Sequence, residues 1–411
     1  MTDAWSDRKR RSIMNLCVNC KLGTTFLSSI KSSADAHTGK YIFDYVDKWI
    51  EEVGSKNVIQ VVTDNASNNM AAAKLLNEKR PYIFWTSCAT HTMNLILEGI
   101  GKMPKFKFVI DKSKELTIFI YAHHKTLSLM RKFTKKRDIV RPGITRFASS
   151  FLTMQSLLEK QENLRYMFLS KEWLECKWSS TAKGTKIYST IVSQTYWQAL
   201  SMCVEIFKPL VKVLRLVDGD WRPSMGFVYG ELKDAKKEII RICRGAADMY
   251  EPILDIIESK AKGRLDCPLH LAGYLLNPYF FYRDDEAQTD PKCMEGLLTC
   301  VESFFPDDYD KQNLIHTKKR NRLDANRMRD LVYVQFNSKL LNKKKKREAH
   351  DILLADDASM AQAWIVEVDE EDVESQGSTS IADDIYRDLD EDNFESDDEE
   401  VVENNKLLAQ Q

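Results

Sequence analysis

The chain lacks any long apolar segment, and this absence limits the classes of protein to which it can belong. None of its 411 residues lies in a stretch approaching 18 consecutive apolar positions, the length that a membrane-spanning helix needs. The first residues, MTDAWSDRKRR, are charged and lack the apolar core of a secretory signal. The nine cysteines show no regular disulfide framework. We therefore expect no membrane insertion, no secretion and a reducing compartment.

Acidic residues are scarce relative to basic ones over most of the chain and are concentrated near its C-terminus. Residues 366–403 hold 18 Asp or Glu and one Arg, although the formal net charge of the whole chain is only −1. The preceding residues therefore carry a net charge of about +15. A basic body predicts a polyanionic partner, and residues 348–411 have the composition of a disordered acidic tail.

Residues 1–110 alternate between strand and helix patterns. RSIMNLCVNC and TTFLSSI predict a hairpin, and the apolar positions of YIFDYVDKWIEEVG follow helical spacing up to Gly54. Val58–Val62 and Tyr82–Trp85 predict strands, while helices are predicted from about residue 66 and over THTMNLILEGIG. This order predicts a three-layer α/β domain with a mixed sheet.

The rest of the chain predicts a different organisation. Residues 111–300 are mainly helical, with the break DGDWRPSMG, and predict a separate subdomain. An amphipathic segment, IHTKKRNRL, follows within 301–347, and the run KKKKR indicates either a nuclear-import signal or a patch that contacts phosphates. A solvated helix end is the simpler interpretation of that run.

Two acids mark a candidate site. Asp64 ends the predicted strand 58–62, and ligands bind at the carboxyl ends of strands in α/β sheets. Asp3, in Thr-Asp-Ala-Trp, would lie on the strand before the hairpin. Two carboxylates brought together in this way could bind Mg²⁺. The simpler interpretation of Asp64 is a capping aspartate, with Asn65 or Ser67 also able to cap the following helix.

Several longer motifs together resemble one family. TDAWSDRKRRSIMN, VVTDNASNN, FWTSCATHTMNLILE, VDGDWRPSMG, LAGYLLNPYFFY and IHTKKRNRLDANRMRDLVYV occur in this order. They resemble the core of plant hAT-superfamily transposases, the hobo/Activator/Tam3 group, over roughly residues 1–340. Residues 1–110 resemble the domain of unknown function 659, and residues 316–340 resemble part of the C-terminal dimerisation region.

The resemblance implies a ribonuclease-H-like fold, in which the first strand is central, with a helical insertion. It also implies DNA strand cleavage and transfer by Mg²⁺ or Mn²⁺ held by two Asp and one Glu. Asp3 matches the first acid and Asp64 the second, and Cys88 and His91 match the family's Cys-x-x-His beside the active site. The dimerisation region implies a homodimer, or a heterodimer with full-length relatives.

The sequence departs from the family at the third acid. Members carry it in a Glu-Arg-x-x-Ser motif, and no Glu-Arg pair occurs in this chain. FFPDDYDKQNL runs directly into IHTKKRNRL, and Glu98 and Glu302 stand outside the expected motif. We also expect no N-terminal BED-type zinc finger of the kind that the family carries. A first strand beginning at Asp3 would leave neighbouring backbone groups unpaired, at roughly 1–3 kcal/mol for each buried group.

Zinc is not expected. Cys17 and Cys20 lie three apart on a predicted strand and therefore point to opposite faces, so they cannot easily join Cys88 and His91 in one site. Trp173, Trp178 and Trp197 could stack on DNA bases, although their helical spacing favours a core position. The predicted DNA-contacting residues are Lys318, Lys319, Arg320, Arg322, Lys343, Lys344, Lys345, Lys346 and Arg347.

The sequence therefore predicts a transposase-derived nuclear protein that binds DNA nonspecifically and lacks transposition activity. One alternative is an interaction module that dimerises with full-length relatives through residues 316–340. Another is a nuclease that recruits Glu98, which shares a helix face with His91.

Overall fold

The computed structural model describes residues 1–6, 12–20, 23–31, 38–143, 147–219, 224–306 and 308–316. Over these residues the protein is mainly helical, and its five strands all lie before residue 88. The predicted combination of helices and strands is confirmed, with helices forming the larger part. The acidic segment 348–411 lies outside the described residues.

An antiparallel sheet begins the fold. It comprises β1 (Thr2–Ser6), β2 (Ser12–Cys20) and β3 (Gly23–Lys31), with β2 in the middle. β1 pairs with β2 from Thr2 opposite Leu16 to Ser6 opposite Ser12. The register of the β2–β3 ladder shifts between Leu16 and Cys17. The hairpin predicted from the strand pattern is therefore present.

The pairing of β1 continues to Met1. The Met1 amino group donates to the carbonyl oxygen of Cys17 at 2.7 Å, and the Cys17 N–H donates to the Met1 carbonyl oxygen at 2.8 Å. Beyond this pair β2 extends to Asn19 and Cys20, which are exposed. The expected cost of buried unpaired groups does not arise there, because water can satisfy the backbone of exposed residues.

Alternating helices and strands follow, with one 3₁₀ turn at Ser55–Asn57. The elements are α1 (Gly39–Val53), β4 (Gln60–Thr63), α2 (Ser67–Lys79), β5 (Phe84–Ser87) and α3 (Ala89–Gly101). β4 and β5 are parallel, with Thr63 opposite Ser87, and α2 is the crossover between them. Both strands begin two residues later than the sequence pattern predicts.

The two sheets adjoin at β1 and β4. The strands form separate ladders, β1-β2-β3 and β4-β5, but Cα atoms of β1 and β4 approach within 8 Å. The spatial order is therefore β3-β2-β1-β4-β5, and β1 lies between β2 and β4. This order places the strand that carries Asp3 next to the strand that ends before Asp64.

One face of α1 packs on these strands. Ile42, Val46 and Ile50 are buried at helical spacing in a cluster with Met14 of β2 and Val61 of β4. The helix ends at Val53, and Gly54 follows with φ of 89°, as the sequence predicted. Amphipathic periodicity thus fixes both the length and the buried face of α1.

A large helical region follows α3. It comprises α4 (Pro104–Tyr121), α5 (His124–Phe133), α6 (Phe147–Glu159), α7 (Gln161–Leu169), α8 (Lys171–Leu174), α9 (Ala182–Val192), α10 (Gln194–Asp218), α11 (Met225–Ile242) and α12 (Ala247–Ala261). Leu200, Phe207 and Leu210 lie on the buried face of α10. The predicted boundary at residue 110 falls inside α4. α3 also belongs to this helical core, because Met93 and Ile96 are fully buried in it.

The last described helices return to the strands. They are α13 (Pro268–Leu276), α14 (Pro278–Phe281), α15 (Asp285–Thr289), α16 (Pro291–Phe304) and α17 (Tyr309–His316). Tyr274 and Phe280 are buried in an aromatic cluster that joins α13 and α14. Phe304, at the end of α16, packs edge-to-face on Phe84 of β5 with ring centroids 5.7 Å apart. The chain thus comes back to the sheet after the helical region.

Two chain-wide features complete the fold. Among the described helices, none combines the length and the apolar character required to cross a membrane. All nine cysteines fall within the described ranges, where none forms a disulfide bond.

Candidate functional site

Asp64 lies in the short connection between β4 and α2. Its Oδ1 accepts hydrogen bonds from the backbone N–H of Ala66 at 2.8 Å and from Nδ2 of Asn69 at 2.6 Å. Ala66 is the N-cap residue of α2 and has no side-chain oxygen. The prediction that Asn65 or Ser67 caps α2 is wrong, because the Asp64 carboxylate forms an Asx turn that leads into the helix.

Neighbouring strands and helices hold this connection in place. Trp85 Nε1 donates to Thr63 Oγ1 at 2.9 Å, and Thr63 Oγ1 donates to the carbonyl oxygen of Asp64 at 2.9 Å. Asn65 Nδ2 donates to Thr92 Oγ1 at 3.1 Å. The connection is therefore tied to both β5 and α3, so Asp64 occupies a defined position.

Few oxygen atoms of the described residues are available near Asp64 to bind a metal ion. Its Oδ2 accepts no hydrogen bond from any described residue, and the buried Oδ1 of Asn65 has no hydrogen-bond partner in the described structure. The backbone of Asp3 lies opposite Asn15, on the strand adjoining β4. The side chain of Asp3 lies outside the described part of the structure. Oδ2 is therefore the Asp64 oxygen that has no hydrogen-bond partner among the described residues.

Cys88 and His91 begin the next helix. The Cys88 N–H donates to the carbonyl oxygen of Thr63 at 2.6 Å, which extends the β4–β5 ladder by one residue. Cys88 is the half-buried N-cap of α3, whereas His91, one turn later, is exposed. No hydrogen bond joins the two side chains in the described structure. The predicted pair thus lies beside the Asp64 connection, with Cys88 the nearer of the two along the chain.

The alternative third acids do not join Asp64. Glu98 is half-exposed and pairs with Lys102 at 2.6 Å, two turns along α3 from the contact with Asn65. Glu302 lies near Phe304, which contacts the start of β5, whereas Asp64 follows the end of the parallel β4. Within the described residues, no three His, Cys, Asp or Glu side chains form a group able to hold a metal ion. The described side chains by themselves therefore do not make up a two-metal centre, and the Asp3 side chain is not among them.

The sequence analysis missed a buried Cys–His pair. Cys267 Sγ lies 2.8 Å from His270 Nδ1 at the start of α13, and His270 is only 2% exposed. Burial lowers the pKa of His270 to about 4, although Asp266 opposes this shift, and burial raises the pKa of Cys267. Both groups are neutral at pH 7, and the tautomer of the imidazole decides which of them donates the hydrogen bond. This arrangement suits a structural hydrogen bond better than a thiolate nucleophile.

The sequence analysis also missed a basic surface. We define the α5 basic surface as Lys125, Arg131, Lys132, Lys135, Lys136 and Arg137, whose side chains are all exposed. It borders an open depression of about 660 Å³ lined by His124, Leu127, Ser128, Arg131, Lys132, Lys136 and Asp138. Residues 124–141 contain seven Lys or Arg and one acid, a density that the sequence displays directly. All the DNA-contacting residues predicted at 318–347 lie outside the described residues.

Replacing Asp64 with alanine is expected to lower the free energy of unfolding by about 1–2 kcal/mol, because the Ala66 N–H and Asn69 lose their acceptor. Asp64→Asn retains a side-chain oxygen and should cost about half as much. Urea denaturation at pH 7 measures both, and the exposed Asp255→Ala serves as the control. Equal losses for Asp64→Ala and Asp64→Asn would contradict the acceptor role.

Comparison with known families gives one match. Residues 1–116 match the model of the family described as domain of unknown function (DUF659). This domain family is found in hAT-like, transposase-derived plant proteins. The match covers β1 to β5, α1 to α3 and most of α4, and so includes Asp64, Cys88 and His91. No curated protein matches the chain.

Proposed function

We propose, on the premise of the DUF659 match at residues 1–116, that the protein is a transposase-derived nuclear protein that associates with DNA without sequence preference and has no transposition activity. The charge distribution carries the proposal. A body of about +15 attracts a polyanion through counterion release, which requires no base-specific contact. The α5 basic surface adds support, because its six cations are all exposed on one helix and the loop that follows it.

The sheet supports a transposase origin. β1 lies between β2 and β4, the central place that a ribonuclease-H-like sheet gives its first strand. Asp64 follows the adjoining β4, and a long helical region separates these strands from α16, which packs back on β5. These features agree with the ribonuclease-H-like core and helical insertion that the resemblance implies.

The acids support a lack of transposition activity. Two-metal chemistry needs several hard oxygen ligands around both ions. Glu98 pairs with Lys102, no three described His, Cys, Asp or Glu side chains form a group able to hold a metal ion, and the sequence has no Glu-Arg motif. We therefore derive no catalytic step through Mg²⁺ or Mn²⁺. Nicking of supercoiled plasmid by the purified protein with either metal, abolished by Asp64→Asn, would overturn this part of the proposal.

DNA affinity is expected to fall linearly with salt on logarithmic axes, and to rise when residues 366–411 are deleted. The deletion removes 18 acids, and so reduces repulsion of the phosphate backbone. Fluorescence anisotropy with two unrelated 20-base-pair duplexes, from 50 to 300 mM salt, measures both effects. Similar affinities for the two duplexes support nonspecific binding. Absence of binding at 50 mM salt, or affinities more than tenfold apart, would refute it.

The alternative interaction module depends on residues 316–340, which lie outside the described residues apart from His316. Dimerisation with itself or with full-length relatives therefore stays a prediction. Nuclear import through Lys343–Arg347 also stays a prediction.

A further inference from the structure

The cations of the α5 basic surface differ in how far they are neutralised. Arg131 donates two hydrogen bonds to Asp138, at 2.9 and 2.7 Å, and Lys132 bonds to Glu172 at 2.6 Å. Lys125, Lys135, Lys136 and Arg137 form no ion pair with any described residue. Asp138 is the single acid among residues 124–141. Four cations without an ion pair to a described residue thus belong to the same surface as Asp138, whose own charge is paired with Arg131, so the local charge is positive.

The backbone of the loop after α5 carries a second observation. Lys135 and Lys136 have φ values of 54° and 63°, in the left-handed region that favours glycine. The Lys136 N–H donates to the carbonyl oxygen of Arg131 at 2.7 Å and closes the end of the helix. Cations near a helix C-terminus interact favourably with its dipole, which is the structural explanation for lysine here. Glycine would fit this backbone with less strain, so the two lysines present charge at a conformational cost.

The surroundings favour phosphate contacts over base stacking. No Trp, Tyr or Phe lines the depression. The nearby Trp178 stacks on His123 with ring centroids 3.6 Å apart and is also contacted by Lys177. Trp173 and Trp197 are buried, so the core position that their spacing favours is confirmed. A single strand bound through its bases would need an exposed aromatic platform.

We propose that the α5 basic surface contacts the phosphate backbone of duplex DNA. This inference rests on the proposed function and names the surface through which it acts. The ten residues of α5 extend over about 15 Å, a length of duplex that carries roughly nine phosphate charges. Lys125, Lys135, Lys136 and Arg137 meet the phosphates directly. Asp138 lowers the affinity by holding Arg131.

Charge removal at matched positions tests the surface. Lys135→Gln/Lys136→Gln is compared with Lys56→Gln/Lys262→Gln, which removes the same charge from two exposed lysines elsewhere. In the full chain, the first pair should weaken duplex binding about tenfold or more at 0.1 M salt and reduce the salt slope by about two. The control pair should change affinity by about threefold or less. If both pairs of substitutions weakened binding equally, the assignment of DNA contacts to the α5 basic surface would be wrong, whereas the proposal of nonspecific DNA binding would stand.

Two further variants separate binding from folding. Lys135→Gly/Lys136→Gly should weaken binding as the glutamine pair does, but should leave the melting temperature unchanged or raise it. Asp138→Asn should strengthen binding severalfold, because it frees Arg131. A glycine pair that binds as the wild type does, or an Asp138→Asn variant that binds more weakly, contradicts the proposal.

The DNA probe supplies the remaining comparison. A 20-base-pair duplex should bind more tightly than a single strand of 20 nucleotides. Tighter binding of the single strand, with the same sensitivity to Lys135 and Lys136, would overturn the assignment to duplex DNA. Failure of the wild-type protein to bind either probe at 50 mM salt would instead refute the proposed function itself.

Discussion

Replacing Arg80 with methionine is expected to lower the free energy of unfolding by about 3 kcal/mol. Arg80 is 5% exposed; its Nε donates to Asp47 Oδ1 at 2.8 Å, and its Nη2 pairs with Glu51. Burial alone would raise the pKa of Asp47, but hydrogen bonds from Lys79 and Arg80 outweigh burial and hold it below its usual value. Without Arg80, the buried Asp47 carboxylate retains only Lys79. The contact between α1 and the end of α2 weakens accordingly.

Two variants identify the origin of this loss. Lys79→Met removes the half-exposed partner of Asp47 and should cost about 1 kcal/mol or less, because solvent screens that pair. Asp47→Asn/Arg80→Met leaves no buried charge and should recover part of the stability lost in Arg80→Met. Urea denaturation at pH 7, followed by circular dichroism, measures all three. If Arg80→Met lowers the free energy of unfolding no more than Lys79→Met does, the Arg80–Asp47 ion pair is not a main source of stability for the α1–α2 contact.

Acidification is expected to remove about 3 kcal/mol of stability through His270 alone between pH 7.5 and pH 4. The pKa of His270 is about 4 in the folded protein and about 6.5 in the unfolded chain. The unfolded chain therefore binds the proton first as pH falls. The stabilising contribution is complete above about pH 6.5, and it is lost progressively as pH falls toward 4. Asp47 and Asp284 have lowered pKa values, so their contributions are lost at still lower pH.

A variant without the titrating ring isolates this effect. His270→Asn keeps an acceptor near the Cys267 thiol and should flatten the stability profile between pH 6.5 and pH 4. The exposed His91→Asn serves as the control. Urea midpoints at several pH values provide the measurement. Parallel profiles for the wild type and His270→Asn would contradict the assignment, even if the variant were less stable at every pH.

Local patterns predicted the elements whose limits depend on local interactions. α1 ends where Gly54 indicates, but it begins at Gly39, two residues before the predicted segment YIFDYVDKWIEEVG. β4 and β5 each begin two residues later than predicted, because a strand begins where its partner strand is present. Gln60 pairs with Phe84, whereas Val58 and Ile59 precede β4. Apolar side chains identify a buried segment, but the partner strand decides which of its residues form the sheet.

The candidate sites were predictable to different degrees. The position of Asp64 after a strand was predicted, and so was its capping role as the simpler interpretation. The α5 basic surface shows as a dense run of cations, but the acids that neutralise Arg131 and Lys132 lie at positions 138 and 172. Sequence alone therefore cannot tell which cations remain unpaired. The Cys267–His270 spacing of three suggests proximity, whereas the burial that shifts the pKa of His270 comes from tertiary packing.

The contact between Phe84 and Phe304 has a consequence for synthesis on the ribosome. About 220 residues separate the two rings, and β5 pairs with β4 alone among the described strands. At typical elongation rates, the chain between them takes roughly 10–40 s to translate. Throughout that interval the Phe84 ring on the nascent β5 lacks its packing partner Phe304. Chaperones that bind exposed aromatic side chains are expected to act on this segment until α16 has emerged.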